Sequence, residues 1–181
     1  MIQARPELER LIGTGLVTVE RPHSLVLDEV SVELHLDSAL LRYLPHPQAA
    51  ELPSDLAVEN IYLGPDESYL LRPGGCVLAC SRERVSMPID HMGFVQTKGS
   101  IARGFLLAHA CDGQIDPGYS GHVTLELVNL SSITYVLREG LAIARLFVES
   151  ISSPVRSYSG RYQGSPGPTC MRTAPEGGIT T

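Results

Sequence analysis

The run from Ile115 to Asn129, Ile-Asp-Pro-Gly-Tyr-Ser-Gly-His-Val-Thr-Leu-Glu-Leu-Val-Asn, restricts the fold more than any other part of the chain. Asp116-Pro117-Gly118-Tyr119 has the composition of a β-turn: proline presets φ at the second position and glycine accepts a positive φ at the third. Beyond Gly121 the residues alternate, with Val123, Leu125 and Leu127 on one side and His122, Thr124 and Glu126 on the other. A period of two fits a strand with one buried face and does not fit a helix. Asp116 is then held at a strand end. Glu126 is a carboxylate on the polar face, where a solvated role and a proton-transfer role both stay open.

The rest of the chain repeats this grammar. Residues 6–13 read as a short helix, with Pro6 and Glu7 in the first turn, Leu8, Leu11 and Ile12 at helical spacing, and Gly13 and Gly15 as stops. Val17-Thr18-Val19 and Ser24 to Leu36 alternate like strands. In the second, Val30, Val32 and Leu34 oppose Ser31, Glu33 and His35, and an outer sheet face accounts for Glu33 and His35 as well as a site does. Residues 44–56 carry three prolines and no period, which predicts a loop. Short strands are predicted at Tyr69–Leu71, Gly75–Ser81, Val85–Pro88, Gly93–Gln96, Leu106–Ala110, Gly121–Val128, Thr134–Leu137 and Leu141–Ser150. The fold class is therefore all-β, mainly β with short helices, as a barrel or jelly-roll-like sandwich.

At 181 residues one core suffices, and we expect a single β-barrel domain over 1–158 followed by a tail, 159–181. The formal charge of −6 argues against broad binding to nucleic acid or anionic membrane, although a local cation cluster could still hold a small anion. No apolar run is long enough to span a bilayer and the first residues lack a signal-peptide core, so a cytoplasmic location is expected. Cys76 and Cys80 are spaced four apart in an apolar run, which reads as buried thiols more readily than as a metal clip. The zinc deaminase signature, His-x-Glu with Pro-Cys-x-x-Cys, is absent.

Upstream of the turn, Thr97-Lys98-Gly99-Ser100-Ile101-Ala102-Arg103 holds the chain's only lysine. A cation, an unhindered backbone and a hydroxyl are the ingredients of a phosphate cradle, but the spacing of a Walker loop is missing. Ile-Ala-Arg occurs at 101–103 and again at 143–145, with flanks that do not match. The tail holds five glycines and three prolines around Arg161, Tyr162 and Gln163. It reads either as disordered or as a segment that orders over a ligand.

Taken together, Thr-Lys-Gly-Ser-Ile-Ala-Arg, Ile-Asp-Pro-Gly-Tyr-Ser-Gly and Leu-Glu-Leu-Val-Asn resemble the dCTP deaminase family, the zinc-independent branch of the trimeric dUTPase superfamily. The strand Ser31-Val32-Glu33-Leu34, the turn Leu71-Arg72-Pro73-Gly74 and the tail from Tyr158 to Thr169 extend the likeness. The resemblance implies a distorted dUTPase-like β-barrel that forms a homotrimer with sites between subunits. Lys98, Gly99, Ser100 and Arg103 would hold the phosphates of a cytosine nucleotide with Mg2+ bound through those phosphates and no protein metal ligand. Asp116 would lie by the sugar, the backbone of Thr124 and Leu125 by the base, and Tyr158, Arg161 and Gln163 in a closing tail. Glu126 would be the general base that activates water at C4, with Arg103 as its catalytic partner, turning dCTP into dUTP and ammonia.

Several positions depart from the family pattern: Lys98 stands where the family has arginine, Gly99 where it has serine beside the catalytic water, and Asp112 where it has alanine. Ser165 also replaces a tail glutamine. The alternatives are a dUTPase-like diphosphohydrolase, in which Asp116 activates water against phosphorus, and a catalytically degenerate nucleotide-binding homologue.

Overall fold

The structure, a computed structural model, describes residues 1–20 and 22–173. Its elements in order are α1 (Arg5–Gly13), β1 (Val17–Thr18), β2 (Val32–Tyr43), β3 (Val58–Tyr62), β4 (Tyr69–Leu71), β5 (Cys76–Ser86) and β6 (His91–Thr97). After these come α2 (Gly99–Ala102), β7 (Leu106–Leu107), β8 (Gln114–Ile115), β9 (Ser120–Asn129), β10 (Tyr135–Leu137) and β11 (Ala142–Ser150). No helix among the described residues is long and apolar enough to cross a membrane.

Nine strands form one antiparallel sheet along the path β7-β9-β5-β2-β11-β6-β8, with β1 added to β5 and β3 to β2. β4 and β10 make a separate ribbon. The sheet folds back on itself at β2. Val32–His35 pairs with β11, whereas the part from Leu36 onward pairs with β5 and β3. Between those halves the register shifts, and Asp37 Oδ1 accepts from the Ser38 hydroxyl at 3.2 Å and the Ala39 amide at 3.1 Å. A side chain that captures backbone donors in mid-strand produces a bulge, and a bulge bends the strand. β5 bends likewise between Cys80 and Arg84, where the buried Ser81 hydroxyl donates to Glu83 O (2.7 Å) and accepts from Val123 N (3.0 Å). The sheet thus curls into a half-barrel around Leu34, Leu36, Leu40, Leu125, Leu127 and Leu146, all at most 1% exposed.

The short helix forms as the sequence predicts, with Leu8 and Leu11 buried and Thr14–Gly15 ending it, Gly15 at φ 98°. The expected strand from Ser24 to Leu36 does not. Asp28 N bonds Ser31 O at 2.9 Å, so residues 28–31 turn, Val30 is exposed and Ser31 is buried, and regular alternation begins only at Val32. β2 then runs on to Tyr43 to pair with β3, a strand the sequence pattern does not announce. The expected strand Leu106–Ala110 is cut to two residues.

Asn129 closes the end of β9. Fully buried, it donates to Leu71 O (2.9 Å) and Ile133 O (2.8 Å) and accepts from the Ser131 amide (2.9 Å) and hydroxyl (2.7 Å). It thereby ties β9 to β4 and to the loop before β10. Asn129→Leu keeps the branched shape but removes both side-chain donors and the acceptor for Ser131, and should cost about 2–4 kcal/mol. Urea unfolding measures this as a lowered midpoint, and a change below about 0.5 kcal/mol would show that the tie contributes little.

Candidate active site

Because β9 alternates, the residues that face away from the core line a cavity of about 530 Å³. Thr124, Glu126 and Val128 form its floor with Cys76 and Leu78 of β5, and Glu126 lies opposite Leu78. β7 covers the outer edge of β9 only at Val128 and Asn129, so the segment before it is open to a loop and to the tail.

The loop is residues 108–113. Glu126 Oε2 accepts from the amides of Cys111 (2.5 Å) and Asp112 (3.1 Å), while Ala110 N bonds Glu126 O at 3.3 Å. The carboxylate is thereby oriented through one oxygen, and its Oε1 is not used by these amides. Gly113 makes the loop possible: an added Cβ would meet Val95 O at 2.7 Å and the His109 ring at 2.9 Å. Asp112 lines the cavity, and its Oδ1 accepts from Gln114 N at 3.1 Å. His109 lies behind Glu126, with Nδ1 3.4 Å from Thr97 Oγ1. Burial pushes the His109 pKa below its ordinary value, and the negative charge of Glu126 opposes that shift.

The turn forms as the sequence predicts. Tyr119 N bonds Asp116 O at 3.1 Å and Gly118 has φ 81°, a type II geometry. Asp116 faces the cavity and accepts from Gln114 Nε2 at 3.0 Å. Tail residues dock on this turn. Tyr158 N bonds Pro117 O (2.8 Å), Gln163 Nε2 donates to Gly118 O (2.8 Å), and Gln163 Oε1 accepts from Ser120 N (2.8 Å). Both ends of the Gln163 amide therefore hold backbone. Tyr158, Tyr162, Ser165, Thr169, Cys170 and Met171 line the cavity, so the tail covers it up to the last described residues. The tail's final residues, 174–181, lie outside the described part. Arg161 instead pairs with the tail itself, its guanidinium donating to Arg172 O. Leu125 is fully buried, so it can face a ligand through backbone alone.

The proposed phosphate loop lies elsewhere. Lys98, Gly99, Ser100 and Arg103 line a second depression of about 510 Å³, which shares no lining residue with the first. Within one chain, then, Thr124, Glu126, Asp116 and Tyr158 come together, and Arg103 does not join them. Lys98 is paired with Glu33, which is 3.5 Å from His35 Nε2; His35 Nδ1 is in turn 2.8 Å from the buried Glu83. Glu33 and His35 are thus tied to the loop through an internal polar chain. Arg103 Nη1 donates to Gly99 O at 3.1 Å. Arg145, on β11, lines the same depression and is paired with Asp28. The two Ile-Ala-Arg tripeptides, unrelated as repeats, deliver their arginines to one place.

Sequence reasoning missed His109, Tyr43 and Arg145 as site residues, and named Tyr119 and Tyr162 only as parts of the turn and of the tail. Arg145 left a trace in that second tripeptide. Tyr119 packs edge-on against Tyr158 with centroids 6.0 Å apart, a contact no local pattern could announce.

A family model described as dCTP deaminase-like matches residues 2–151. A Kocuria rhizophila protein named "dCTP deaminase, dUMP-forming" is 33% identical over 182 residues, covering 96% of this chain and 95% of the relative. A Nocardioides protein of the same name is 36% identical over 172 residues, 90% of each. Among solved structures, the 2'-deoxycytidine 5'-triphosphate deaminase of Agrobacterium tumefaciens superposes with a TM-score of 0.63 at 18% identity, over 81% of this chain and 47% of that one. The dUTPase of Staphylococcus bacteriophage 80alpha with dUPNHPP superposes with a TM-score of 0.51 at 13% identity, over 80% of this chain and 87% of that one. At these identities the two superpositions establish the fold alone.

The depressed His109 pKa has a sign that can be checked. Above the ordinary histidine pKa the folded and unfolded chains bind the same number of protons at this residue. As pH falls below it, the unfolded chain gains a proton that the folded chain resists, so stability declines until the folded pKa is reached. Urea unfolding between about pH 7.5 and 5.5 should show this decline, and His109→Gln should flatten it. An unchanged slope in the variant would remove His109 as its source.

Proposed function

The chain belongs to the dCTP deaminase-like family, and on that premise we propose that it deaminates dCTP at C4 of cytosine and carries the product on to dUMP. The observation that carries the deamination is the Glu126 carboxylate, held by two loop amides on the floor of a cavity that the tail partly covers. That placement suits a general base, because the carboxylate is oriented before substrate arrives and a water beside it is shielded by the tail. Glu126 takes one proton from the attacking water and passes it to N3, then takes the second from the new C4 hydroxyl as the carbonyl forms and passes it to the amine, which leaves as ammonia. Asp116 and Tyr158 hold the sugar end, and Thr124 with the Leu125 backbone holds the base.

The resemblance by itself implies dUTP as product. The names of the relatives favour dUMP, which adds loss of diphosphate to the loss of ammonia. The phosphates belong against Lys98, Gly99, Ser100, Arg103 and Arg145. Mg2+ fits here as an ion that arrives on the phosphates, since the loop presents cations and the adjacent Glu33 is engaged by Lys98. The ion would screen charge on the phosphate oxygens. Zinc is assigned no part.

The separation of the two depressions supports a homotrimer in which Arg103 of one subunit meets Glu126 of the next. A second reading, a nucleotide-binding homologue with little turnover, is favoured by Gly99. Nothing in the fold demands that glycine, because a Cβ there meets only Arg103 Nη1 at 3.4 Å.

Incubation with dCTP and Mg2+ should release ammonia, dUMP and diphosphate in equal amounts; dUTP without diphosphate would restrict the reaction to deamination. Glu126→Gln should lower ammonia release by about 100- to 10,000-fold while dCTP still raises the melting temperature. Stabilisation by dCTP with no product from the parent, and ammonia from Gly99→Ser, would establish the second reading. Arg103→Ala and Glu126→Gln, each inactive alone, should regain about a quarter of the parental activity when refolded together in equal amounts, because one site in four then receives both intact residues. Failure to complement would place both residues in one subunit's site.

A further inference from the structure

Three of the four cysteines, Cys76, Cys111 and Cys170, line the Glu126 cavity, and all are free thiols. Cys80, the fourth, is buried, with its thiol pKa pushed up to about 12, which keeps it out of redox chemistry. The cavity thiols differ in their supports. Cys111 sits on the loop whose amides grip Glu126. Cys170 is on the tail, between two anchors: Thr169 N and Oγ1 bond Thr124 Oγ1 at 3.2 and 3.0 Å, and Met171 N bonds the Tyr43 hydroxyl at 2.7 Å. Thr124 is on β9 and Tyr43 on β2, and β5 runs between those strands. The tail therefore crosses β5 at Cys170. Leu41 pairs with Leu78, so continuing that antiparallel register by two residues sets Tyr43 beside Cys76, and both face the cavity.

We propose that Cys76 and Cys170 form a reversible disulfide that fastens the tail over the cavity when the protein meets a peroxide-class oxidant. Cys76, which the sequence pattern reads as buried, is exposed because it starts β5 at the cavity, whereas Cys170 is half-buried, so Cys76 is the first of the pair to be attacked. Its thiolate takes one oxygen of hydrogen peroxide, breaking the O–O bond to give a sulfenic acid and hydroxide, which leaves as water. The Cys170 sulfur then displaces the sulfenic oxygen, which leaves as a second water. Two thiols and one peroxide thus yield one disulfide and two waters, and a dithiol reductant reverses the change. The reduced tail is held against the cavity by hydrogen bonds that can open; the oxidised tail is held covalently, so it can no longer lift away. The clasp depends on tail geometry and not on which nucleotide the cavity takes.

The test is peptide mapping of the full chain by mass spectrometry under non-reducing conditions, after treatment with one equivalent of hydrogen peroxide. The expected product is a monomer-mass chain lighter by about 2 Da in which the Cys76 and Cys170 peptides are linked, returned to the parent mass by dithiothreitol. Cys76→Ser and Cys170→Ser should each abolish the linked species, and Cys111→Ser should leave it. In the oxidised chain, trypsin should release the segment between Arg161 and Arg172 only after reduction. The proposal is overturned if Cys170 stays reduced while Cys76 is oxidised, if Cys170 links to Cys111, or if the product is a covalent dimer.

Discussion

The alternation of β9 is the constraint on which the rest of the molecule depends. Val123, Leu125, Leu127 and the Asn129 side chain are committed to the interior, and burial of the leucines fixes the strand's register against β5. With that face committed, Thr124, Glu126 and Val128 can point only into the cavity. A slip of one residue would bury a carboxylate and expose three aliphatic side chains, so the core that stabilises the fold also places the acid. Glu126 in turn organises the loop packed against it. Its carboxylate captures two loop amides, which shapes residues 108–113 into a wall, and the strand expected over Leu106–Ala110 ends at Leu107.

Two kinds of charge are kept apart in this subunit. The acidic side chains Glu126, Asp112 and Asp116 belong to the cavity, and Lys98, Arg103 and Arg145 belong to the other depression. The cations differ in how they are held. Lys98 and Arg145 are paired with Glu33 and Asp28, whereas Arg103 bonds a carbonyl of its own short helical turn. An anion approaching the depression meets two cations whose own pairing fixes their position, and one guanidinium with donors to spare. Under the proposed function, that division of labour would give a nucleotide's phosphates the cations and its base the cavity.

Legibility in the sequence tracks the range of the interaction. The helix, the type II turn and the polar face of β9 are set by neighbours within a few residues, and each is where periodicity and turn chemistry put it. The start of β2 escapes the pattern because Val30 continues the apolar alternation through a turn at 28–31, and a turn that short has no composition of its own. β3 is invisible in the sequence because its partner is the far half of β2, beyond a bulge created by Asp37. Around the two depressions, Glu126, Asp116 and Tyr158 are readable from motif and turn. His109, Tyr43 and Arg145 are not, since each reaches its place through strand pairing between distant segments. Gln163 is legible as a tail residue that binds something, but what it binds in the structure is the backbone of the turn.

Gly113 and Gly99 show how a structure separates a glycine that the fold requires from one that it does not. At Gly113 a methyl group would press on the Val95 carbonyl and the His109 ring, and backbone cannot yield as a flexible side chain can. The loop that holds Glu126 could not close with any other residue there. Gly99 has ordinary backbone geometry and open space, its nearest neighbour being the far end of the Arg103 side chain. No packing or conformational demand selects glycine at that point, so its consequences are local and chemical. It removes a hydroxyl and leaves the carbonyl of residue 99 within reach of the Arg103 guanidinium. The effect of Gly99 is therefore confined to the surroundings of the Arg103 guanidinium, and the barrel would hold its shape with either side chain.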